Sequence, residues 1–112
     1  MAIRMTKPWQ VLSEELVAKL PGQLGVYQLA DAEGRVVMIG YAGGHSLFGL
    51  QGVLVSEAVT RRHGAVQYRC EVNTAYLTRY RELLMLHVAD HGALPVGNED
   101  APPVDLGRLS PL

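Results

Sequence analysis

A chain of 112 residues suffices for one domain with one core, and 48% apolar against 19% charged residues is the balance of an ordinary globular protein. A net charge of −1 argues against strong nucleic-acid binding. No stretch reaches the roughly eighteen apolar residues of a membrane span. The opening MAIRMTKPWQ lacks an apolar signal core and Cys70 is the sole cysteine, so a reducing, cytoplasmic setting is expected.

In chain order, residues 13–20 (SEELVAKL) read as a short helix. Ser13 can cap it, Glu14 and Glu15 suit its positive end, Leu12 can staple to Val17, and Pro21-Gly22 stops it. Residues 24–30 and 35–41 read as two strands joined by Asp31-Ala32-Glu33-Gly34. That loop sets an expected register in which Tyr27 faces Met38, Val26 faces Ile39 and Gly25 faces Gly40. Tyr27, Leu29, Val36 and Met38 then share one face, and the two glycines meet at the open end.

Residues 42–52 (AGGHSLFGLQG) form a glycine-rich loop entering a helix that starts between Leu47 and Gly52 and ends near Thr60. Residues 65–72 alternate as a half-buried strand with Cys70 on its apolar face, which makes the thiol core. Residues 75–91 read as the longest helix, capped at Asn73-Thr74 and ended by Gly92. Its second half is apolar nearly all round, as for a helix packed on more than one layer or on a second subunit, so a homodimer is an expectation. Residues 1–94 are read as the domain and 95–112 as a proline-rich, acidic, extended tail. The order of elements predicts an α+β fold, a small three-stranded, mostly antiparallel sheet flanked by helices.

Charge is uneven. Residues 61–81 hold five arginines against Glu71, whereas residues 82–112 hold five acidic side chains against Arg108. The arginines either face an anion or pair with the acidic tail.

Gly25-Val26-Tyr27, ten residues, then Met38-Ile39-Gly40 resembles the signature of the GIY-YIG nuclease superfamily. The resemblance spans roughly residues 22–98 and implies a three-stranded antiparallel sheet with the triplets on its first two strands. It implies metal-dependent phosphodiester hydrolysis, with Tyr27 activating or positioning water and Glu82 on the late helix holding Mg or Mn. Asn98 is implied as a supporting polar group. Met38 stands where the signature has its second tyrosine and offers no hydroxyl, while Tyr41 belongs to the other sheet face. The arginine that the resemblance puts on the next helix is absent from Phe48-Gly49-Leu50-Gln51. His45, Arg61, Arg62 and Arg79 are the nearest substitutes. Losing one charge-stabilising donor costs about 10²–10³ in rate.

Each candidate has a plainer reading. Glu82 stands three residues from Arg79 and can form a surface ion pair. Tyr27 can be core, His45 a solvent-exposed loop residue, and His87 a hydrogen-bonded core histidine. His87 and His91 are spaced i, i+4, which suits a metal, yet no third ligand is apparent. The loop has no Walker lysine and no proper G-x-G-x-x-G before a βαβ unit, so dinucleotide binding is poorly supported. Two functions follow. One is a non-hydrolytic module binding a small molecule or partner between hairpin, glycine loop and long helix, with Met38, Tyr41, Gly43, Gly44, Arg79 and Asn98 in contact. The other is a nuclease acting on a nucleic-acid phosphodiester through Tyr27, His45 and Glu82.

Overall fold

Asp31 closes the hairpin. Its backbone N–H donates to Arg35 O at 3.0 Å, and its carboxylate accepts from the N–H groups of Glu33 and Arg35 and from the Arg35 guanidinium. Gly34 takes φ +83 at the turn, where L residues are strained. The computed structural model describes residues 3–99. The strands so joined are β2 (Gly25–Ala30) and β3 (Val36–Ala42); a two-residue β1 (Gln10–Val11) and β4 (Gln67–Val72) complete the sheet. The order is β1-β4-β2-β3, with every pair antiparallel. The expected α+β class holds, and the strand count is four rather than three.

The hairpin register differs from expectation. Gly25 pairs with Ala42, Tyr27 with Gly40 and Leu29 with Met38, a shift of two residues. One residue of shift comes from closure at Asp31/Arg35. The other comes from a bulge that pairs Ala30 with Val36 and leaves Val37 extra. A shift of two preserves sheet faces, so Tyr27, Leu29 and Met38 remain together. Beyond the bulge the faces exchange: Val37 joins them, and Val36 turns to the opposite core.

The glycines do not meet. A Cβ on Gly25 would stand 2.1 Å from the Glu71 carbonyl oxygen, and one on Gly40 would stand 2.4 Å from the Tyr27 ring. Each glycine admits a neighbour that any side chain would exclude.

Helices cover both faces of the sheet. On one side, α1 (Glu14–Val17) and α2 (Gly49–Thr60) pack Leu12, Val17, Leu50, Leu54 and Ala58 over Tyr27, Leu29 and Tyr68. Ser13 caps α1 as expected, accepting from Leu16 N–H. On the other side, α3 (Tyr76–His91) packs Tyr80, Leu83 and Leu84 over Val26 and Ile39. Gly92 ends α3 at φ 80. Met85 and Val88, on the outer half of α3, stay partly exposed.

Residues 95–99 are not extended tail. Pro95 is fully buried and α4 (Val96–Glu99) packs against β3. The Asn98 amide donates to Ile39 O and accepts from Ile39 N–H, both at 2.8 Å. It does along the rim of β3 what another strand would do. The described fold therefore runs past residue 94, and the remainder of the expected tail, 100–112, lies outside the described residues. No described helix is long and apolar enough to cross a membrane.

Candidate functional site

Leu50, Leu54, Glu57 and Ala58 form the inward stripe of α2, so the fold drives one carboxylate into an apolar core. Glu57 is 5% exposed. The Tyr27 hydroxyl donates to its Oε2 at 3.0 Å. After α2 the chain reverses through left-handed conformations at Arg61 and His63. This swings Arg62 back, where its Nε donates to Glu57 Oε1 at 3.2 Å and its Nη2 to Oε2 at 2.5 Å. The same guanidinium lies 3.1 Å from Met38 Sδ. Tyr27, Met38, Glu57 and Arg62 thus form one cluster under the hairpin.

Burial, and then the adjacent Glu57 carboxylate, push the Tyr27 phenol well above the ordinary tyrosine range. It stays protonated, as a donor to Glu57 and a poor base. A folded-state value raised above the unfolded 10.0 contributes stability that is complete below pH 10 and is lost as pH rises beyond it. In an alkaline titration followed by phenolate absorbance and circular dichroism, we expect the Tyr27 phenolate to appear only together with unfolding. Tyr27→Phe should remove that part of the alkaline instability. Reversible ionisation of Tyr27 in the folded chain near pH 10 would contradict this assignment.

Glu82 is elsewhere. It belongs to α3, on the opposite side of the sheet from the Tyr27 ring, and pairs with Arg79. Arg79 also binds Glu71 of β4 at 2.9 Å and the Ile3 carbonyl. Tyr27 and Glu82 are therefore not brought together, and the carboxylate implied for Mg or Mn is held by an arginine. Among the described residues no three His, Cys, Asp or Glu side chains are grouped to hold a metal. The residues present do not fit the metal that the resemblance implies at Glu82.

The other expected contacts disperse too. Tyr41 stacks with Tyr76 at 5.7 Å and tilts against Tyr80 at 4.9 Å, on the α3 face. Tyr76 fills the space over Gly43 and accepts from Gly44 N–H at 3.1 Å, which occupies the anticipated cleft between hairpin, glycine loop and long helix. His45 is exposed in that loop. Asn98 serves the β3 backbone and reaches the Tyr80 hydroxyl at 3.4 Å. Cys70 packs against the core, and burial pushes its thiol up.

Three of the five arginines of residues 61–81 are engaged by other side chains; of the other two, Arg61 donates to the Ala58 carbonyl and the buried Nε of Arg81 has no partner among the described residues. Arg62 binds Glu57 and Arg79 binds Glu71 and Glu82. Arg69 donates to Gln28 at 2.7 Å and to the Lys7 carbonyl, and its guanidinium stacks 4.2 Å over Trp9.

Two adjoining clefts lie at the turn end of the hairpin. A cleft of about 570 Å³ runs between the Asp31–Arg35 turn, His63, Leu94–Val96, and His87 and His91 of α3. A smaller one of about 210 Å³, edged by Arg4, Gln28, Arg69 and Asp90, meets it across Val36 and the two α3 histidines. Those rings lie 4.4 Å apart, and His87 Nδ1 is 2.9 Å from Ala93 O. Burial, with His91 adding, lowers the His87 pKa, opposed by the Ala93 carbonyl and Asp90.

A family model described as a domain of unknown function, DUF7508, matches residues 3–90. The chain belongs to the DUF7508 family. No curated protein and no solved structure matches it. The DUF7508 match takes in the Tyr27–Glu57–Arg62 cluster and His87, and stops before His91 and α4.

Glu57 is the residue that the sequence reading overlooked. Its signal was available, since a lone carboxylate at i+7 on the stripe Leu50, Leu54, Ala58 calls for a buried partner. Arg62 was among the candidates, though only as a replacement for the missing helix arginine.

Proposed function

We propose that this DUF7508 chain is a GIY-YIG-like binding module without efficient nuclease activity. Its ligand is a small organic molecule carrying an acidic group, held in the cleft between the hairpin turn, His63, His87 and α4. The carrying observation is that Tyr27 and Glu57 are buried and hydrogen-bonded to each other, with Arg62 closing the pair, while Glu82 stands across the sheet. The groups that hydrolysis would need are thus separated or already satisfied. The GIY-YIG likeness is supported by the element order and by a sheet in which the two triplet-bearing strands are neighbours.

The cleft has a size suited to such a ligand, within the range of about 300–1,000 Å³ common to small-molecule sites. Val36, Val37, Leu94 and Val96 supply apolar walls, and the imidazoles of His63 and His91 supply groups that receive an acid, with Arg35, already paired to Asp31, at the rim. Val96 is 45% exposed at its edge, so Val96→Trp obstructs the cleft without entering the core. The test is a set of aromatic and aliphatic carboxylates and phosphate monoesters, screened by thermal shift and by amide NMR. A true ligand at about 100 times its Kd stabilises the fold by about 2.7 kcal/mol. It should shift the amides of Val37, His63 and His87, and Val96→Trp should abolish both effects. Absence of any such response at millimolar concentration across the set would overturn the reading.

One observation favours the hydrolytic alternative. Arg62, half-exposed, brings a guanidinium from beyond the C-terminal end of α2 to the Tyr27–Glu57 pair and Met38, as a substitute for the arginine that the resemblance places at the opposite, N-terminal end of that helix. Cleavage of DNA or an activated phosphodiester with Mg²⁺ or Mn²⁺, abolished by Tyr27→Phe, would establish that alternative and displace the first.

A further inference from the structure

His87 and His91 are one helical turn apart on α3, so their side chains rise from the same face. Their ring centroids lie 4.4 Å apart with planes inclined at 37°, close enough for one ion to bridge them. The Ala93 carbonyl can only accept, so at 2.9 Å it requires the proton on His87 Nδ1 and leaves the lone pair on Nε2. That bond also holds the ring's orientation. A backbone carbonyl on the far nitrogen is the usual support of a metal-bound histidine. Both rings line both clefts and are open to solvent from either side. The nearby carboxylates are already engaged: Asp90 by Arg4 at 2.8 Å, and Asp31 by Arg35 at 3.0 Å.

We propose that His87 and His91 chelate a divalent transition-metal ion of the Zn²⁺, Ni²⁺ and Cu²⁺ class, with His87 bound through Nε2. Two imidazole ligands, with the neighbouring described carboxylates Asp31 and Asp90 already paired, select borderline metals over Mg²⁺ or Ca²⁺, which prefer oxygen ligands. No third ligand is grouped with the pair among the described residues. Water can complete the coordination from the clefts that both rings line. There an acidic group on a bound molecule would replace water; this last step alone rests on the proposed ligand reading.

The experiment uses the full chain stripped with chelator and titrated with ZnCl₂ or NiCl₂. Calorimetry should report one ion per chain. With Zn²⁺, long-range ¹H–¹⁵N spectra of the imidazoles should move His87 Nε2 and a nitrogen of His91 to coordinated positions, leaving His45 in place. His87→Gln and His91→Gln should each weaken binding by about tenfold or more. His45→Gln should leave it unchanged. Since the imidazole spectra are read on the unaltered protein, a variant that folds poorly does not remove the test. Binding that survives both substitutions, or that shifts only His45 or His63, would overturn the proposal. The carboxylate screen of the metal-free protein tests the cleft reading separately, so either can fail alone.

Discussion

Arg62→Ala should destabilise the fold by about 3 kcal/mol, at the low end of what removing one member of a buried ion pair costs. Glu57 is 5% exposed and its carboxylate is flanked by the hydroxyl of Tyr27 and the guanidinium of Arg62. Removing Arg62 leaves a charge in the core with one neutral donor. Because Arg62 is itself 48% exposed, water enters the vacated space and limits the loss. Arg62→Lys should recover only part, since an ammonium cannot reproduce the two-pronged contact with Oε1 and Oε2. Replacing all three members with apolar residues (Tyr27→Phe, Glu57→Leu, Arg62→Leu) should recover most of the stability, because no uncompensated polar group then remains. Arg4→Ala, which breaks an exposed and solvent-screened pair with Asp90, should be close to neutral. Urea denaturation of these variants measures the differences. A loss below about 1 kcal/mol for Arg62→Ala would mean that solvent already screens Glu57.

Gly25→Ala should be at least as damaging, at about 3 kcal/mol or more. The new methyl would stand 2.1 Å from the Glu71 carbonyl oxygen and 3.0 Å from Leu50 Cδ1. The first obstacle is backbone of the paired strand β4, and β2 is held by ladders on both sides, so neither strand can move alone. Gly40→Ala meets a different obstacle: its methyl would stand 2.4 Å from the Tyr27 ring, a side chain. The pair of substitutions separates these causes. Gly40→Ala combined with Tyr27→Leu should be less destabilised than the sum of the two single changes, a coupling that a double-mutant cycle reads directly. No shortening of a neighbouring side chain should rescue Gly25→Ala. If it costs less than Gly34→Ala, where nothing lies within 4 Å and only the positive φ opposes, the close approach of β4 is not real.

The elements were legible because their signals are local. Ser13 before an acidic turn, the alternation from Gln67 to Val72, and Gly92 past an apolar helix each act within a few residues. The hairpin register was not legible because two one-residue effects combined. Closure at Asp31/Arg35 instead of Ala30/Arg35, and the bulge at Val37, together amount to a shift of two, which leaves the alternation of β2 against β3 almost unchanged. Only Val36 and Val37 change face. The site failed for a longer-range reason. Periodicity places Tyr27 on one face of its strand and Tyr80, Leu83 and Leu84 on one stripe of α3, but nothing local says which helix covers which face. That choice placed α2 over Tyr27 and α3 over Val26, which made Glu57 the phenol's partner in place of Glu82. The short α4 was missed for a related reason: four residues after a proline carry no period, and what holds them is the Asn98 amide on Ile39.

That amide has a meaning beyond holding α4. The outer rim of β3 carries β-branched residues, and an uncovered rim of this kind is a template on which a neighbouring chain can add strand after strand. By occupying both backbone groups of Ile39, Asn98 interrupts the template near its middle. Among the described residues, this carboxamide and the turn of α4 that carries it past the Val37 carbonyl together cover that rim.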